Sequence, residues 1–94
     1  MRKYEGVFIF APNIEDENRN KLFDRLKGVI EGNGTITNID EWGTRKLAYE
    51  INDLTEGYYF IVNFETTPET VQELDRICKI SDNIMRHMII REDE

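Results

Sequence analysis

The stretch Glu56-Gly57-Tyr58-Tyr59-Phe60-Ile61-Val62-Asn63-Phe64 decides how this chain folds. Its aromatic and β-branched residues favour a strand, and strand side chains alternate between two faces. Tyr58, Phe60, Val62 and Phe64 make one unbroken apolar file, while Tyr59, Ile61 and Asn63 make the other. The first file is expected to face a core and the second an open surface. A strand spanning Tyr58 to Glu65 therefore needs helices over one side only.

The flanking sequence supplies them. Downstream, Thr67-Pro68 opens a helix, with Thr67 as cap and Pro68 in the first position. Val71, Leu74, Ile77 and Cys78 form its apolar stripe, Ser81-Asp82-Asn83 ends it, and Ile84 to Arg91 reads as a last strand. Upstream, Asn52 to Gly57 reads as a turn, and Thr35 to Ile51 as a long strand with a bulge or bend at Trp42-Gly43. Before it, Leu22, Leu26, Val29 and Ile30 recur at helical spacing, with Asn13 as the expected cap. Gly32-Asn33-Gly34 offers residues that tolerate positive φ to end that helix. Tyr4 to Phe10 is a first strand, apolar on both faces and so expected in the middle of the sheet.

The predicted order is β-α-β-β-α-β, an α+β, ferredoxin-like sandwich. Two helices cover one face of a four-stranded antiparallel sheet, and right-handed crossovers put the first and third strands in the middle. Residues 1–94 form a single domain, with Glu92-Asp93-Glu94 expected as a frayed acidic tail. The face without helices is where function is expected, since a large uncovered apolar surface calls for a polar coat or a partner.

Composition excludes several classes. Twelve Lys and Arg against nineteen Asp and Glu give a net charge of −7, which argues against gripping nucleic acid by bulk positive charge. The single cysteine, Cys78, forbids an internal disulfide, and one histidine, His87, forbids a histidine-rich metal site. Apolar runs such as Val7 to Ala11 are too short to span a membrane, so the chain reads as soluble and intracellular. Acylphosphatases share the predicted topology, but the loop Ala11-Pro12-Asn13-Ile14 after the first strand lacks the glycine and arginine of a phosphate cradle. The third strand matches the aromatic signature of RNA-recognition motifs poorly, with Glu56 in place of a basic residue. No catalytic set and no cofactor are expected.

Two aromatic files and one arginine orient the sheet. Tyr4, Gly6, Phe8 and Phe10 are expected inward, with Gly6 thinning the core, and Lys3, Glu5, Val7 and Ile9 outward. On the last strand Arg86 belongs on the bare face, because burying it costs more than burying His87. His87 and Cys78 then read as structural residues, and Trp42 as a packing anchor for the bend. The helical cations Arg19, Lys21, Arg25 and Lys27, interleaved with acids, read as solvated. The strand cations Arg2, Lys3, Arg45, Lys46, Arg86 and Arg91, with Tyr49 beside them, suit RNA, since guanidinium forks onto phosphate and tyrosine stacks on a splayed base. Arg2 and Lys3 are expected close to Arg91 and even Arg86.

Met1 to Glu5, Glu41-Trp42-Gly43-Thr44-Arg45-Lys46-Leu47-Ala48-Tyr49-Glu50-Ile51 and Ile80-Ser81-Asp82-Asn83-Ile84-Met85-Arg86-His87-Met88 resemble the bacterial small-subunit ribosomal protein six family. The likeness runs the length of the chain with the same spacing. It implies a non-catalytic component of the cytoplasmic ribosome. Such a protein binds the central domain of small-subunit ribosomal RNA, paired with the basic small-subunit ribosomal protein eighteen. Carried over by position, it implies RNA contacts at Arg2, Arg45, Lys46 and Arg86, with Lys3, Tyr49 and Arg91 secondary. Tyr4, which the family also carries, is expected inward instead. Val7, Ile9, Tyr59 and Ile61 are the expected partner surface, and the chain alone is expected to be monomeric. An oligomeric ligand-sensing domain of the same topology is the alternative.

Overall fold

The inward file of the third strand is buried as its alternation requires, with Phe60, Val62 and Phe64 at 2% exposure or less. A computed structural model describes residues 1–51 and 53–92. The elements are β1 (Arg2–Phe10), α1 (Asp16–Gly32), β2 (Thr35–Ile51), β3 (Leu54–Thr66), α2 (Pro68–Ile80) and β4 (Ile84–Arg91). The sheet order is β2-β3-β1-β4, fully antiparallel, with β3 and β1 central. This is the ferredoxin-like sandwich expected from the order of elements.

The core lies between the sheet and the helices. Tyr4, Phe8 and Phe10 from β1 join the β3 file, facing Phe23, Leu26 and Ile30 of α1 and Leu74, Ile77 and Cys78 of α2. Phe23 stacks on Phe60 with ring centroids 4.0 Å apart, and Tyr4 stacks on Phe64 at 5.7 Å. Each such side chain contributes about 1.5–3 kcal/mol on leaving water. Burial pushes the Cys78 thiol up to about 12, so it behaves as a small apolar group. Gly6 does not thin this core. A Cβ there would stand 2.8 Å from the Phe8 ring and 3.3 Å from that of Phe64, so the rings already occupy the space.

Several local expectations need correction. The cap of α1 is Glu15, with no side-chain cap bond, because Asn13 falls two residues too early. The helix ends at Gly32 without a positive φ; among the described residues only Gly43 and Asp53 have one. β3 begins at Leu54, so residues 54–57 are strand instead of turn, while Asn52 lies outside the described residues. Glu92 is held, its N–H donating to the Lys3 carbonyl at 2.8 Å and its carboxylate accepting from Asn63 at 2.8 Å. The other two residues of the expected tail lie outside the described residues. Thr67 does cap α2, accepting from the Thr70 N–H, with Pro68 following.

Arg19 is the largest departure. It is 8% exposed, with its guanidinium 3.7 Å from the centre of the Tyr58 ring and 2.9 Å from Asp16. Its cation packs on an aromatic face, which a solvated reading of the helix misses. The Tyr58 hydroxyl donates to Glu41, and this bond, with burial, raises the tyrosine's pKa.

Long β2 departs from simple pairing in three places. Trp42 is an extra residue between Glu41, opposite Phe60, and Gly43, opposite Tyr59. The bulge needs the positive φ of Gly43, +77°, which glycine adopts without a Cβ clash. Further on, residues 47–50 stand against Thr55 alone, between the pairs Lys46–Glu56 and Ile51–Leu54. They cannot all pair and bow away from the ladder. Gly57 makes room for this: a Cβ there would lie 2.4 Å from Ile9 Cγ2 and 3.4 Å from Leu47 Cδ2.

Gly57→Ala is expected to destabilise the fold by about 1–3 kcal/mol, as overpacking does, with an unchanged denaturant slope in urea titration. Asp75 gives a second test. Hydrogen bonds from Lys79 and then His87 hold its carboxyl below its usual range, and its Oδ1 lies 2.6 Å from His87 Nε2. A carboxyl depressed on folding stabilises above its unfolded pKa and loses that contribution as pH falls through the folded value. Asp75→Asn is therefore expected to lower Tm at neutral pH, with the gap to the parent chain closing below pH 3.8 in thermal melts.

Candidate nucleic-acid interface

The uncovered face of the sheet is built by the odd positions of β1 and β3 and the even positions of β4. Val7 pairs with Ile61 and Ile9 with Tyr59 across β1 and β3, so the four expected partner residues form one block. Arg86, Met88 and Ile90 stand beside Ile9, Val7 and Glu5 on the other side of β1. Ile9 and Ile61 are nearly buried at 8% and 9%, so little of the accessible apolar surface is theirs. Met88, Ile90 and Trp42, each 46% exposed, present more.

These three were not among the expected contacts, although strand alternation puts Met88 and Ile90 on the face of Arg86. Trp42 arrives through the bulge, where it stacks on Tyr59 with centroids 6.1 Å apart and its Nε1 donates to Asp40 at 2.9 Å. It packs as expected, yet remains half open to solvent.

The strand cations divide into two groups. Arg45, opposite Gly57, Lys46, opposite Glu56, and Arg86, opposite Ile9, lie at the hairpin end of the sheet. Arg2, opposite Thr66, and Arg91, opposite Tyr4, lie at the other end with Lys3. Seven residue steps along β1 take Arg2 to Ile9, the position beside Arg86, about 23 Å at strand rise. The expected approach of Arg86 to Arg2 and Lys3 is thus wrong, because an antiparallel β4 brings Arg91 to that end and carries Arg86 away.

Tyr49 joins the hairpin group across the sheet. The bowed segment 47–50 carries it over the bare face, where its hydroxyl accepts from Arg86 Nη1 and the guanidinium lies 5.7 Å from the ring centre. β2 and β4 are the two outer strands, so this contact spans the width of the sheet. Tyr4, in contrast, is buried against Phe64 and takes no part.

Pairing separates the helical cations, Arg25 excepted, from the strand cations. Arg19, Lys21, Lys27, Arg76 and Lys79 each meet an acid on their own helix. Among the described residues, Arg2, Lys3, Arg45 and Lys46 have no carboxylate within ion-pair distance, and Arg86 is bonded to a phenol. Arg91 has a partner of its own. Among the described residues no group of three or more His, Cys, Asp and Glu is placed to hold a metal ion, and no helix is long and apolar enough to cross a membrane.

The family described as ribosomal protein S6 matches residues 3–91. The small ribosomal subunit protein bS6 of Alkaliphilus oremlandii is 56% identical over 91 residues, covering 97% of both chains. That of Clostridium perfringens (strain SM101) is 50% identical over 95 residues, covering 100% of both. The crystal structure of 30S ribosomal protein S6 from Thermotoga maritima superposes with a TM-score of 0.90 at 36% identity, over 97% of this chain and 87% of that one. With fold, length and sequence in agreement, this chain belongs to the ribosomal protein S6 family, as a non-catalytic component of the small subunit of the cytoplasmic ribosome.

Proposed function

We propose that the chain binds the central domain of small-subunit ribosomal RNA jointly with the basic small-subunit ribosomal protein eighteen, and is monomeric until it does so. The observation that carries this is the unequal pairing of its cations. Five of the six helical cations, all but Arg25, are neutralised by an acid on their own helix, whereas Arg2, Lys3, Arg45 and Lys46 have no carboxylate partner among the described residues and are left for an outside anion. Phosphate contacts of this kind fix position and orientation on RNA without reading sequence. Arg86 and Tyr49 extend the hairpin group, and Arg91 the opposite one.

Few cations and a charge of −7 make for weak binding alone. A basic partner supplies the missing attraction, and acidic surface on this chain favours that partner's approach. The apolar block of Val7, Ile9, Tyr59 and Ile61, widened by Met88, Ile90 and Trp42, is the surface for it. Such a patch is rimmed by polar side chains and needs cover.

Filter binding to the RNA across a salt series is expected to show weak binding by the chain alone and much tighter, salt-sensitive binding with protein eighteen. Equal affinity in both cases would refute the joint mode. Replacing Arg45 and Lys46 together by alanine is expected to reduce the slope of log K against log salt by about 1.4–1.8, two phosphate contacts' worth. The pure chain is expected to sediment as a monomer, and a stable homodimer would favour a sensing module instead.

A further inference from the structure

We propose that Tyr49 is a stacking platform for one unpaired nucleobase of the bound RNA, with Arg86 as its positioning residue; this rests on the RNA-binding reading above. An aromatic ring left 59% exposed in a domain that buries its other aromatic rings more deeply has no packing role to explain it. Nor is it loose. Arg86 Nη1 holds the hydroxyl, and the segment that carries the ring is seated through Leu47 over Gly57 and Ile9. A ring fixed at its polar edge and open elsewhere pays little ordering entropy when a second flat group settles on it.

The surroundings select that group. Arg45 and Arg86, opposite Gly57 and Ile9 on the bare face, lie at the same end of the sheet, and Arg45 has no carboxylate partner among the described residues; Lys46 is at that end too, on the other face opposite Glu56. Glu50, Asp53 and Glu56 are on the same hairpin, so a free anion gains little from the site. What suits an aromatic face flanked by cations is a flat ring joined to an anionic backbone. In a duplex the base faces are closed by stacking, so the occupant is a base splayed from a loop, bulge or junction. An apolar side chain of a protein partner needs no cations and is better served by Met88 and Ile90.

The test uses the full chain with protein eighteen and the ribosomal RNA domain. Tyr49→Phe keeps the ring but loses the bond from Arg86 that positions it, and is expected to weaken RNA binding about 2- to 5-fold, less than Tyr49→Leu. Tyr49→Leu is expected to weaken RNA binding roughly 5- to 150-fold, the range for one lost base–aromatic stack, with the salt slope unchanged because no phosphate contact is removed. Ultraviolet irradiation of the parent complex should cross-link Tyr49 to a single unpaired nucleotide. Urea titration of both variants checks that folding is intact. Parent-like binding by Tyr49→Leu, an equal loss in Tyr49→Phe, or a loss confined to protein eighteen in the absence of RNA would overturn the platform. A parent chain that binds no RNA, with or without protein eighteen, would overturn the RNA-binding reading itself.

Discussion

Everything on the functional face follows from which way β3 points. Once Phe60, Val62 and Phe64 are committed to the helices, strand alternation leaves Gly57, Tyr59, Ile61 and Asn63 no other destination than the open side. The same constraint passes through the ladder to β1 and β4, placing Val7, Ile9, Arg86, Met88 and Ile90 on one surface. A slip of one residue would exchange the faces and bury Arg86 and Asn63 against the helices. The proposed binding surface is therefore the complement of the core, fixed with the same energy that fixes the core.

Gly57 lets the open side become more than a flat sheet. With no side chain at that point, Leu47 approaches Ile9, and the unmatched residues 47–50 lean across instead of projecting into solvent. The contact of Tyr49 with Arg86 ties β2 to β4 over the two central strands, 37 residues apart in sequence. Bulges commonly re-aim side chains near functional sites, and the two in the second half of β2 each redirect an aromatic residue, Trp42 and Tyr49.

Features set by local chemistry or by a strict period of two were legible in the sequence. The inward files, the bulge at Gly43, the Thr67 cap and the exposure of Arg86 are of that kind. Features set by tertiary packing were not. Arg19 sits in a pattern of alternating charges that describes a solvated helix face, and only the docking of α1 over Tyr58 buries it. The distance between Arg2 and Arg86 depends on register, and the meeting of Tyr49 with Arg86 depends on a register shift, neither of which leaves a mark in composition. The candidate residues were chosen by residue type and family resemblance, and their division into two ends of the sheet was not legible from either.

The charge distribution bears on why assembly would be cooperative. The hairpin end carries Arg45, Lys46 and Arg86 but also Glu50, Asp53 and Glu56, so from beyond a Debye length of about 8 Å it is close to neutral. A polyanion is not drawn toward such a surface. At contact distance the balance changes, because these cations lack ion-pair partners among the described residues and a guanidinium can fork onto a phosphate while the acids stay in water. Attraction at long range and fit at short range are then separate requirements. In the proposed joint binding, a chain that meets only the second would gain its affinity when a cationic neighbour meets the first.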